Sequence, residues 1–155
     1  MDNTYYNKIA IETSGFTIIE AIYTHDEITA ILTEINQANT DKSTFRKTDD
    51  LFAIRQFLKE IPTVNDIVFN DKLKAIINSL FGHGYFAVKS IYFDKPEKSN
   101  WFVAWHQDLT ISVDKKAELP GYGPWTVKQN QFAVQPPLNI LQNNFTIRIH
   151  LDDTD

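Results

Sequence analysis

The hydrophobic pattern changes about halfway along the chain, from helical spacing to strand-like alternation. Two apolar sets in the first half follow helical spacing: Ile28, Ile31, Leu32 and Ile35, then Leu73, Ile76, Ile77 and Leu80. Thr24 and Glu27 form a capping-box pattern before the first set, and Gly82 follows the second set, where helices often end. We therefore predict helices over both sets, the second starting near Asn70. We also predict a short strand over 15–23, a loop over 40–48 and a short helix over 51–61 that Pro62 ends.

The second half of the chain is rich in aromatic and β-branched residues, which favour strands. The predicted strands are 85–93, 101–113, 125–128, 131–135 and 145–151, with a further short element at 138–141. Helices followed by strands indicate an α+β fold with an antiparallel sandwich or barrel. The length of 155 residues fits a single domain over 1–155, with a helical part about 1–84 and strands about 85–155.

Composition narrows the classes of function and location. The net charge of −5, without a cluster of Lys and Arg, argues against nucleic-acid binding. The chain has no cysteine, which excludes disulfides and thiolate metal sites. No apolar run reaches the ~20 residues needed to span a bilayer, and the N-terminus lacks the basic and apolar regions of a signal peptide. We expect a cytoplasmic protein without membrane or nucleic-acid partners.

The candidate chemistry lies in the segment 101–113, WFVAWHQDLTISV. In a strand, His106 and Asp108 would project from the same face. One His and one carboxylate are two of the three ligands of the facial triad that holds non-haem iron(II). The spacing is a weak motif by itself, since a second pair occurs at His150 and Asp152, and a His hydrogen-bonded to a nearby carboxylate is the simpler alternative.

Several separated motifs resemble the phytanoyl-CoA dioxygenase family. They are GFTIIEAIYTHDEITAILTEI, IYFDKPEKSNWFVA, WHQDLTISV, GYGPWTVK, VQPP and FTIRIHLDD, in the expected order from Gly15 onward. The resemblance implies N-terminal helices followed by a double-stranded β-helix (jelly-roll) core. It also implies an iron(II)- and 2-oxoglutarate-dependent dioxygenase that hydroxylates a small molecule or an acyl thioester.

The resemblance assigns roles to particular residues. His106 and Asp108 would be the metal ligands, and Ile91 and Arg148 would line the pocket of the cosubstrate 2-oxoglutarate. Trp125 and Lys128 are possible pocket-wall residues, although a packed Trp and a solvated Lys are an equal alternative.

The sequence departs from the family after the last motif. Members carry a second His ligand and, beyond it, an Arg that binds 2-oxoglutarate; no residues here match either, and His150 has neighbours that match the earlier strand. The chain resembles the N-terminal two thirds of a member, so we expect an incomplete core, no activity of this chain alone and self-association through unpaired strand edges. The alternative is a non-catalytic jelly-roll module for binding or assembly.

Overall fold

The computed structural model describes residues 3–47, 52–94, 104, 108–128 and 130–153. In chain order, its elements are α1 (Asn3–Ser14), α2 (His25–Gln37), β1 (Phe45–Lys47), β2 (Phe52–Arg55), α3 (Phe57–Glu60), a 3-10 helix (Pro62–Val64), α4 (Asn65–Val68), α5 (Asp71–Phe81), β3 (Ile91–Asp94), β4 (Ile111–Val113), β5 (Trp125–Lys128), β6 (Gln131–Val134) and α6 (Leu138–Leu141). The predicted α+β class is therefore confirmed.

The described residues group into two compact units, which we call the helical unit and the sheet unit. The helical unit comprises Met1–Ala38 and Ile61–Phe86, and the sheet unit comprises Asn39–Glu60 and Ala87–Asp155. The segment between α2 and the 3-10 helix thus belongs with the second half of the chain.

The core of the helical unit lies between α2, α5 and the short helices that connect them. Its buried apolar residues are Ile31, Ile35, Ile61, Val64, Val68 and Leu73. The hydroxyl of Tyr23 donates a 2.7 Å hydrogen bond to the carbonyl of Val68. Burial, with a smaller effect of the nearby Glu27 carboxylate, raises the pKa of Tyr23 to about 12, so this donor keeps its proton at neutral pH.

The sheet unit contains two three-stranded antiparallel sheets, ordered β1-β2-β3 and β4-β6-β5. Its buried apolar residues are Ala53, Ile54, Phe57 and Val134. Phe57, at the start of α3, also packs against Tyr92 of β3 with ring centroids 5.9 Å apart. Burial, followed by the charges of Asp94 and Asp152, raises the pKa of Tyr92.

Three predictions for the first half were wrong. Residues 16–21 form no strand, residues 45–47 form β1 instead of a loop, and residues 52–55 form β2 instead of a helix. Only the last turn of the predicted helix exists, as α3. Tertiary pairing decided this region, because β2 forms ladders with both β1 and β3. The helix α1 was not predicted, and none of its residues is buried.

In the second half, the predicted strands at 125–128 and 131–135 are confirmed as β5 and β6. Of the predicted strand 85–93, only the part from Ile91 is a strand. Of 101–113, β4 covers the end, while 101–103 and 105–107 lie outside the described residues. The segment 145–150 alternates in sequence but has no described strand partner. In the described ranges, no helix has the length and apolar character needed to cross a bilayer.

Candidate functional site

Asp108 lies three residues before Ile111, where β4 begins. Its side chain is 67 % exposed, and its Oδ1 atom is 4.0 Å from Nζ of Lys89. His106, the other residue of the predicted metal pair, lies outside the described residues. The structure therefore places one carboxylate of the pair, and places it beside a cation.

Lys89 belongs to the wall of a cleft within the sheet unit, with a volume of about 250 Å³. One wall is a face of the sheet β4-β6-β5, together with Thr110 just before β4. The other wall is formed by residues 87–91 and by the corner between β2 and α3. We call this feature the β2–β4 cleft.

The strand register explains why the sheet wall of the cleft is polar. Ser112 and Thr126 both pair with Ala133, one from each side of β6. Side chains alternate along strands, so these residues share a face with Lys128 and Gln131, and all five line the cleft. The opposite face carries the apolar residues Ile111, Val113, Trp125, Val127, Phe132 and Val134. The sheet therefore presents small and hydroxyl side chains to the cleft and its apolar side chains to the other side.

The charges of the cleft wall all have one sign. Arg55, Lys59, Lys89 and Lys128 line it, and no acidic side chain of the described residues does. Lys59 is 3.5 Å from Asp114, and Lys89 is 4.0 Å from Asp108. Each of these four side chains is about half exposed or more. Such pairs neutralise little charge. No ion pair among the described residues involves Arg55 or Lys128.

The corner between β2 and α3 is held by its backbone. Gln56 has a φ of 56°, in the left-handed region that side chains other than glycine seldom adopt. The next two amides are fixed by Ser90: Phe57 N–H donates to the Ser90 carbonyl at 3.2 Å, and Leu58 N–H donates to Ser90 Oγ at 3.0 Å. The backbone that carries Arg55 and Lys59, on either side of the corner, is therefore held in place beside the cleft.

The other residues singled out from the sequence are distributed as follows. Ile91 and Lys128 line the β2–β4 cleft. Trp125 is half-buried and lies on the face of Val134, away from the cleft. Arg148 and His150 are exposed and lie in the segment without a described strand partner, and neither lines the cleft. The structure thus brings Ile91 and Lys128 together, and Lys89 connects this cleft to Asp108.

The cationic residues of the second wall were missed in the sequence. Arg55 and Lys59 lie in a region predicted to be helical, and Lys89 in one predicted to be a regular strand. The polar sheet face had a visible signal, because Thr110 and Ser112, and then Thr126 and Lys128, are spaced by two. Alternation with polar residues on one face indicates a surface that is not part of the core.

Of the two predicted metal ligands, Asp108 is the one that lies within the described residues. A carboxylate is a suitable ligand for iron(II) in combination with His, and the exposure of Asp108 leaves it accessible. The described residues contain no group of three or more His, Asp or Glu side chains that could hold a metal ion. His106 falls outside that set.

Comparisons with protein-family models, curated proteins and solved structures found no match to this chain.

Proposed function

We propose that this chain is an oxygenase domain of the phytanoyl-CoA dioxygenase type, dependent on iron(II) and 2-oxoglutarate, with a jelly-roll core. One observation carries the proposal: Asp108 of the His-x-Asp motif contacts Lys89 on the wall of a cleft that Ile91 and Lys128 also line. The resemblance implies a pocket position for Ile91 and allows one for Lys128, for which a solvated side chain is an equal alternative. The two antiparallel sheets of the sheet unit support the jelly-roll part of the proposal.

In this proposal, the His-x-Asp pair beside the cleft and the residues that line the cleft have distinct tasks. His106 and Asp108 hold the iron, which together with 2-oxoglutarate and oxygen supplies the hydroxylation chemistry when bound. Lys128 attracts a carboxylate of the cosubstrate, and Ile91 provides an apolar wall. Arg148, which the resemblance also places in the cosubstrate pocket, is exposed and does not line the cleft, so the proposal relies on Lys128 and Ile91. The protein's contribution is to position these groups and to limit the access of water.

The size of the cleft favours one of the two substrate classes. Its volume of about 250 Å³ is below the roughly 300–1,000 Å³ typical of sites for drug-sized ligands. A small metabolite fits that space, whereas an acyl thioester of a large carrier would have to leave most of its atoms outside. We therefore propose hydroxylation of a small molecule.

The alternative proposal is a binding module without catalysis. It is supported by the four cations and the hydroxyl side chains of the cleft, which can bind an anion without any metal. The two proposals differ in whether His106 and Asp108 bind a metal.

A titration with Mn²⁺ tests the metal site, because Mn²⁺ accepts the same nitrogen and oxygen ligands and broadens nearby NMR signals. We expect broadening of the amide signals of residues 108–112, and tighter Mn²⁺ binding when 2-oxoglutarate is present. His106→Ala and Asp108→Ala should each remove the broadening. His150→Ala is the matched control, because it removes an exposed His of the other His-x-Asp pair, and it should leave the broadening unchanged. Broadening that survives both ligand substitutions would contradict the metal assignment and favour the binding module.

A further inference from the structure

We propose that the substrate of the β2–β4 cleft is itself a small oxyanion, a phosphate ester or a carboxylate, and that Arg55 and Lys59 hold its charged group. The inference rests on the proposed function only in calling this ligand a substrate; the ligand class follows from the cleft itself.

The charge of the cleft wall indicates an anionic ligand. Four cations surround a volume of about 250 Å³, in a chain whose net charge is −5. Like charges that line the same cleft repel one another. Their partners Asp108 and Asp114 stand outside the lining, in exposed pairs at 4.0 and 3.5 Å. An anion bound in the cleft would reduce this repulsion, because its negative charge would lie between the cationic side chains.

The positions of the four cations separate the substrate from the cosubstrate. Lys89 contacts Asp108, the proposed metal ligand, and Lys128 lies on the sheet wall, where the resemblance places the cosubstrate. Arg55 and Lys59 come from the corner between β2 and α3 and have no task in the proposed function. They are therefore the cations that remain for a second anion.

The backbone of the corner suits Arg55 for this role. Arg55 ends β2 opposite Ile91, is partly buried, and forms no ion pair with a described residue. A guanidinium group matches the two oxygens of a carboxylate or phosphate with a pair of parallel hydrogen bonds. Hydroxyl donors of the opposite wall, Thr110, Ser112 and Thr126, can bind the remaining oxygens of the ligand.

The test is a titration of the metal-free protein with inorganic phosphate and, separately, with acetate, followed by amide NMR shifts. We expect phosphate, acetate or both to shift signals of Arg55, Gln56, Lys59 and Ser112. Arg55→Gln and Lys59→Gln should each weaken binding about tenfold, as expected for loss of a charge-assisted hydrogen bond. Lys42→Gln is the matched control: it removes the same charge from the sheet unit, but Lys42 pairs with Glu60 at 2.7 Å and does not line the cleft.

The two anions identify the ligand within the class. Binding of phosphate alone supports a phosphate ester, and equal binding of acetate supports a carboxylate. If neither anion shifts the cleft signals, or if the Arg55 and Lys59 variants bind like the Lys42 variant, the inference is wrong. Should Arg55→Gln lower the melting temperature strongly, Lys59→Gln decides, because Lys59 is exposed.

The same samples distinguish this inference from the proposed function. Mn²⁺ and 2-oxoglutarate binding at Asp108 without any anion site at Arg55 would overturn the inference alone. An anion site at Arg55 without Mn²⁺ binding would overturn the oxygenase proposal and leave an anion-binding module.

Discussion

At the scale of single residues, Gln56 is the position where backbone conformation and the cleft meet. Its φ of 56° costs on the order of 1 kcal/mol for a residue with a side chain. Residues held in such conformations occur preferentially at functional sites, where the surrounding structure maintains them. Here the hydrogen bonds of Phe57 and Leu58 to Ser90 maintain the corner.

The conformation of Gln56 leads to a prediction about stability. Gln56→Val should lower the free energy of unfolding by about 1–2 kcal/mol, because a β-branched side chain fits the left-handed region poorly. Gln56→Gly should change it by less than about 1 kcal/mol, since relief of strain and the greater freedom of the unfolded chain oppose each other. Denaturant unfolding measures both changes.

The control for this prediction is Gln142→Val, at a residue of the same unit with a φ of −64°. It should have little effect, because a valine tolerates that backbone conformation. A Gln56→Val protein as stable as the Gln142→Val protein would show that the corner is not strained.

At the scale of secondary-structure elements, the sequence predicted those elements whose determinants lie within a few residues of one another. The capping box at Thr24 and the helix α5 with Asn70 at its N-terminus could be read from the sequence, because both depend on side chains three residues away. The strands β1 and β2 could not, because β2 pairs with β3, more than 35 residues later in the chain, and β1 in turn pairs with β2. The segment 145–151 shows the converse, since its amphipathic pattern is not accompanied by a strand ladder within the described part of the chain.

The candidate site divides in the same way. The sheet wall follows from residues spaced by two in the sequence, and the resemblance pointed to Lys128 on this wall and to Ile91 on the other. The second wall depends on a backbone reversal at Gln56, a residue type with no preference for that conformation. The sequence pattern therefore could not predict that Arg55 and Lys59 line the cleft.

The capping box of α2 predicts a dependence of stability on pH. Glu27 accepts hydrogen bonds from the backbone N–H of Thr24 at 2.7 Å and from Asn70 at 3.0 Å. The Thr24 hydrogen bond, followed by that of Asn70, lowers the pKa of Glu27 below its ordinary value of 4.5. The unfolded chain therefore takes up this proton first, so the contribution of Glu27 is present above pH 4.5 and is lost as the pH falls through the lowered folded value.

Two substitutions test the capping box. Glu27→Gln should destabilise the protein at pH 7, and the difference from the wild type should shrink at pH values below 4.5, where Glu27 becomes protonated. Thr24→Ala should cost about 1 kcal/mol through loss of the N-cap. Glu20→Gln, which changes an exposed carboxylate outside the helix, is the control and should be neutral. A Glu27→Gln difference that is the same at pH 7 and pH 3.5 would contradict the assignment.

At the scale of the whole molecule, both sheets have outer strands for which the described residues provide no further strand partner. Each sheet has three described strands, and within the described residues β1, β3, β4 and β5 each have a strand partner on one side only. Edge strands offer unpaired backbone groups to other chains, especially when they carry apolar side chains. Val127 of β5 is such a residue, with 57 % of its surface exposed.

We therefore expect the purified chain to associate with itself as its concentration rises, through β5. Val127→Lys should weaken this association, because a charged side chain on an edge strand opposes further pairing. The control is Leu138→Lys, which removes a large apolar side chain that is 68 % exposed, but from α6 and not from a strand edge. Sedimentation velocity over a range of concentrations measures the effect. Equal weakening by both substitutions would indicate association through general apolar contact. A protein that stays monomeric at all concentrations would show that the edges do not pair, and the proposed self-association would then be wrong.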